Sequence, residues 1–154
     1  MKRTIVSMIV AGAVALGAHL HAQDADVAEV KITADKIQLI YDVTEFTVKA
    51  GQKVKLTFAV PEGCPFLHNL IIVGPGQQQA LAAAATTAMT SNPAYLSTGQ
   101  CIPEFEGILH HTNLVAAGAD EVLEFEAPTE PGEYPYVCTY PGHWITMVGT
   151  MTVE

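Results

Sequence analysis

Ten residues near the end of the chain, CTYPGHWITM, hold a thiol at Cys138, an imidazole at His143 and a thioether at Met147. The whole chain has three cysteines, six histidines and five methionines in 154 residues, so this grouping needs a reason. A thiolate, imidazoles and a weakly held thioether suit copper, with two histidines and one cysteine in a trigonal plane and methionine as a distant fourth donor. A long axial thioether is poorly matched to zinc. Taken singly, an exported cysteine is usually half of a disulfide and a methionine in a strand is usually core. The joint pattern C-x4-H-x3-M on a strand, a turn and a second strand weakens that reading. One imidazole is missing from the stretch, and His68, His110 and His111 are the candidates. His68, in CPFLHNLIIV, opens an apolar strand beside Asn69 and is well suited to hold a ligand rigidly. His110 and His111 are adjacent, so on a strand they face opposite sides and do not readily chelate one ion together. Surface or half-buried structural roles suit them better.

Several elements must position these donors. YPYVC reads as a strand ending at the thiol, TYPG turns the chain with Pro141 and Gly142, and MVGTMTV leads away as the next strand. A tight loop between paired strands fixes three donors with little freedom, so the site keeps nearly one shape in both copper oxidation states. Elsewhere, KVKLTFAV places Val54, Leu56, Phe58 and Val60 on one face. TEFTVKAG does so with Phe46 and Val48, and LEFEA with Leu123 and Phe125. AEVKIT, KIQLIY, HNLIIV and EYPYVC complete the expected strands, punctuated by Gly and Pro. Many short strands with turns between them predict an all-β antiparallel sandwich. The alanine-rich segment GQQQALAAAATTAM breaks the alternation and predicts a helical insertion around residues 76–95. A mobile flap is the alternative, because the segment has little apolar bulk to bury.

Residues 1–22 have a basic start at Lys2 and Arg3, an apolar run and the small residue Ala22, the layout of a secretory signal peptide. Their apolar run is shorter than the roughly 20 residues of a spanning helix, which favours cleavage over an uncleaved membrane anchor. A single domain over residues 23–154 and a periplasmic or otherwise exported location are then expected. That domain carries five lysines against sixteen acids, so nucleic acid is excluded as a partner. All five lysines fall between Lys31 and Lys55, and ten acids follow them. Export also means an oxidising compartment, in which cysteine arithmetic predicts a Cys64–Cys101 disulfide. The alternatives are two free thiols, or a second metal site with His110 or His111.

HNLIIV together with YPYVCTYPGHWITMVGTMTV resembles the cupredoxins, azurins and auracyanins in particular, and ILHHTNLVAAGADEVLEFEAP extends the likeness upstream. The resemblance implies an eight-stranded Greek-key sandwich, one type 1 copper per chain, and electron shuttling between larger redox proteins. It implies His68, Cys138 and His143 as ligands with Met147 axial. It also implies a weak backbone carbonyl contact from the residue before the first histidine, Leu67 here, where azurins carry glycine. Asn69 matches the asparagine that ties the two ligand loops together, through Thr139. By the same likeness His143 reaches an apolar surface patch, which Trp144 either enlarges or leaves to pack on neighbouring loops. Partners would be redox proteins, such as a cationic cytochrome c or a membrane or periplasmic oxidoreductase, with no small-molecule substrate. A copper enzyme would need further copper centres, and a dinuclear copper domain would need a second cysteine within CTYPGH. A copper chaperone would favour exposed Met and His clusters.

Overall fold

The computed structural model describes residues 27–98 and 100–154. The leader expected over residues 1–22 lies outside them. Among the described residues no helix is long and apolar enough to cross a membrane. The described residues form eight strands, β1 (Ala28–Thr33), β2 (Glu45–Val48), β3 (Lys53–Ala59), β4 (Ile71–Val73), β5 (Ile108–His111), β6 (Asp120–Glu126), β7 (Gly132–Val137) and β8 (Val148–Val153). Among the described residues one α-helix, α1 (Gln78–Ser91), sits between β4 and β5.

The strands make two sheets, ordered β1-β3-β6 and β2-β8-β7-β4-β5. Pairing is antiparallel except for β1 with β3 and β2 with β8. This is the all-β Greek-key sandwich with a helical insertion that the sequence predicts. Alternation places the core as expected. Val54, Leu56 and Phe58 of β3 are buried, while Lys53 and Lys55 are exposed. They pack with Ile32, Phe125, Leu70, Ile72, Tyr136, Met151 and Val153 in one cluster between the sheets.

β4 departs from alternation, with all three residues buried. The reason is α1, which covers the outer face of the second sheet. Leu81 of α1 packs with Ile71, Val73 and Val137, while Ile72 faces the inter-sheet core. A strand covered on both faces reads as a continuous apolar run, which explains LIIV. Helix α1 itself buries only Leu81 and Ala85. It stops at Asn92, whose backbone N–H bonds to the Ala88 carbonyl, just before Pro93.

KIQLIY is not a strand. Asp35 accepts backbone N–H bonds from Ile37 and Gln38 at 2.8 and 2.6 Å, which curls residues 36–40 into a loop. Only Tyr41 rejoins the sheet pattern, bridging Ala34. A short carboxylate offering its own hydrogen bonds competes with strand pairing, and here it wins.

Candidate metal centre

β7 and β8 run antiparallel, and their ladder continues past Val137, with the Cys138 N–H donating to the Met147 carbonyl at 3.0 Å. The eight residues between form the ligand loop. Gly142 takes φ +82°, a left-handed conformation that glycine adopts without strain. The chain then enters a 3-10 turn at His143–Ile145. The Met147 N–H returns to the His143 carbonyl at 2.8 Å, so these two residues are held together. His68 arrives from the other side. It exchanges both backbone hydrogen bonds with Val115, at 3.2 and 2.8 Å, just before β4 pairs with β7.

Three donors converge. His68 Nδ1 and His143 Nδ1 lie 3.2 Å apart, and Cys138 Sγ lies 3.9 and 3.6 Å from them. The point equidistant from three atoms so spaced lies about 2.1 Å from each, close to the roughly 2.0–2.3 Å of metal bonds to imidazole nitrogen and thiolate sulfur. His68, Cys138 and Met147 are fully buried and His143 is 3% exposed. Burial, with the neighbouring His143, brings the His68 imidazole down to about 4, and burial alone lowers His143. Both rings are therefore neutral lone-pair donors at ordinary pH. Burial pushes the Cys138 thiol up to about 12, against the N–H groups of Asn69 and Tyr140, which favour the thiolate. A divalent or monovalent soft cation would relieve that cost, because its charge favours the deprotonated sulfur.

Similarity to known proteins agrees with this chemistry. The sequence profile of the copper binding proteins, plastocyanin/azurin family, matches residues 28–154. The chain belongs to this family. Auracyanin-A and auracyanin-B of Chloroflexus aurantiacus are 34% and 32% identical to it, over 76% and 80% of the chain. The matched region is 68% of auracyanin-A and 51% of auracyanin-B, so the chain spans about half the length of the latter. A solved structure of auracyanin A, described as a "blue" copper protein, superposes with TM-score 0.71 at 30% identity, covering 83% of this chain and 99% of that one.

As in this copper-binding family, the cofactor is copper, and His68, Cys138, His143 and Met147 form a site consistent with one type 1 ion per chain. Asn69 and Thr139 clasp the two ligand loops. The Thr139 N–H donates to Asn69 Oδ1 at 2.8 Å, and Asn69 Nδ2 donates to Thr139 Oγ1 at 3.0 Å. The Thr139 hydroxyl in turn donates to the Cys101 carbonyl. The helical insertion thus reaches the site, a link that sequence reasoning missed. Tyr95 adds to it, donating its hydroxyl to the Thr139 carbonyl at 2.8 Å. Consecutive left-handed residues, Gln100 and Cys101 at φ +53° and +54°, aim their carbonyls at Asn69 Nδ2. No local motif marks them, because both are non-glycine residues in a conformation that glycine favours.

The expected Cys64–Cys101 bridge is corrected by the structure, in which all three cysteines are free. Cys64 Sγ lies 3.4 Å from His68 Nε2, whereas Cys101 packs with Ala85 and Tyr95 in a different cluster. Counting thiols in an oxidising compartment carries no information on which way they point. His110 and His111 stay apart from the metal centre and on opposite faces of β5, as expected. His110 stacks on Phe125 with ring centroids 4.3 Å apart, and His111 is exposed. Trp144 is half-buried against the clusters of Val137 and Cys101, so it fastens the ligand loop to the insertion.

Proposed function

We propose that the chain is an exported single-electron carrier, not an enzyme, with His68, Cys138 and His143 as equatorial copper ligands and Met147 axial. The observation that carries this reading is the buried triangle of two imidazole nitrogens and one sulfur. When bound, copper supplies a one-electron couple between Cu(II) and Cu(I). The protein's part is rigidity and exclusion of water. Backbone hydrogen bonds fix His68 to Val115, Cys138 to Met147 and Met147 to His143. The donors would therefore keep their places in either oxidation state of a bound copper ion. The Leu67 carbonyl is a further weak axial donor in this reading, adjoining His68 in sequence.

His143 lies just beneath the surface, edged by Phe66 at 5.5 Å and Tyr140 at 4.7 Å between ring centroids. Phe66, Leu67 and Ile145 are exposed nearby in sequence to the ligands and supply apolar docking area. The partners in this reading are redox proteins, a basic cytochrome c or a membrane or periplasmic oxidoreductase. The four histidines beyond residue 22 leave too few donors for the additional coppers of an oxidase or reductase. Adding Cu(II) to purified protein should give an intense blue or green colour that ascorbate bleaches. In Cys138→Ser the band should vanish, since it requires the copper–thiolate bond. Colour surviving that substitution would overturn the assignment.

A further inference from the structure

Cys64 is a buried thiol that the ligand set does not use. Its position is built. The Cys64 N–H bonds to the Pro61 carbonyl at 3.2 Å, closing a tight turn that Gly63 permits at φ +75°. That turn sets Cys64 Sγ 3.4 Å from His68 Nε2, within hydrogen-bonding range for sulfur. The ring's other nitrogen, Nδ1, faces His143 Nδ1 and Cys138 Sγ at 3.2 and 3.9 Å. A neutral imidazole that gives its Nδ1 lone pair to a metal carries its proton on Nε2. His68 is fully buried, so that N–H is shielded from solvent, and an unmet buried donor is costly.

We propose that Cys64 is a positioning residue of the copper centre, its sulfur accepting the hydrogen bond of His68 Nε2–H and so fixing the tautomer and aim of that ligand. This inference rests on the copper reading of the site. An acceptor on the outer nitrogen makes the imidazole a stronger donor toward the metal, and loss of such partners typically lowers metal affinity about 10- to 100-fold. A stronger nitrogen donor favours Cu(II) over Cu(I). The role also requires Cys64 to be a free thiol, since its sulfur serves His68.

The test compares Cys64→Ala and Cys64→Ser with the parent, all copper-loaded. Cys64→Ala should lose about tenfold in preference for Cu(II), read as a rise of about 59 mV in potential at 59 mV per tenfold for one electron. Cys64→Ser retains an acceptor and should shift the potential less. In the diamagnetic Cu(I) parent, the His68 Nε2–H proton should exchange slowly and show a nuclear Overhauser contact to the Cys64 β-protons. An unchanged potential in Cys64→Ala overturns the proposal. So do equal shifts in the two variants, which would mark a packing or lost-bridge effect, and so does absence of the Overhauser contact. The last measurement decides even if the alanine variant does not fold. A parent that never turns blue would instead defeat the copper reading.

Discussion

In the proposed site Met147 would tune the metal without holding it. A thioether binds copper weakly, so Met147→Leu should keep the metal and the colour, yet raise the reduction potential by withdrawing electron density that favours Cu(II). Voltammetry giving an unchanged or lower potential would remove Met147 from the axial position. His110 offers a separate test through acid stability. Burial against Phe125, with His111 beside it, lowers its proton affinity in the folded chain. An unfolded chain takes up a proton here near pH 6.5, where the folded chain resists it. Above that pH both states are neutral and the group adds no slope. Below it stability falls until the folded value is passed. The urea midpoint of copper-loaded His110→Phe should therefore gain on the parent's as pH drops from 7 to 5. A constant difference between the two would show that His110 is not the group responsible. At this scale the sequence was informative where donors share one loop, as Cys138, His143 and Met147 do. It assigned Cys64 to a disulfide and missed its place beside His68, because a cysteine four residues before a histidine signals nothing until a turn brings them together.

The insertion behaves as part of the metal centre's support. Leu81→Ala opens a cavity against Ile71, Val73 and Val137 and should cost about 2–5 kcal/mol in chemical denaturation. Tyr95→Phe removes the hydroxyl that meets the Thr139 carbonyl and should cost about 1 kcal/mol. Because Thr139 adjoins Cys138, Tyr95→Phe should also move the visible band, which Leu81→Ala should leave in place. Equal spectra in all three proteins would detach the insertion from the site. A further constraint lies in β8, where a Cβ on Gly149 would stand 2.2 Å from the fully buried Tyr136 ring. Alternation in β3 and β6, alanine content in α1 and the turn residues around Gly142 made most of these elements legible. Residues 36–40 were not, since their apolar content matches a strand and only the two hydrogen bonds to Asp35 reveal the loop. The continuous burial of β4 likewise needed knowledge of what α1 covers.

Charge acts over the molecule as a whole. Ten acids and no lysine follow Lys55, so in sequence the ligand-bearing half is wholly negative. In space the division is softer. Lys36 belongs to the loop whose Leu39 carbonyl accepts the Thr146 hydroxyl at 2.8 Å, and its ammonium lies beside Gly63, next to Cys64. Sequence halves interleave in a sandwich, which is why the charge map was only partly legible. The net excess of acids still favours a basic partner. Transfer to a cationic cytochrome c should slow several-fold between low and physiological salt, since such steering speeds encounter by roughly 10- to 1,000-fold and is screened by ions. A rate that is flat or rises with salt would leave docking to the apolar surface alone. The donors also join distant parts of the chain, with His68 and Cys138 seventy residues apart and brought together by pairing of β4 with β7. Closing so long a stretch must precede the reward of the contacts it brings. The pigment therefore serves as a clock. In refolding with Cu(II) present, colour should return no sooner than the moment these two strands meet, timing a seventy-residue closure in the folding of the sandwich.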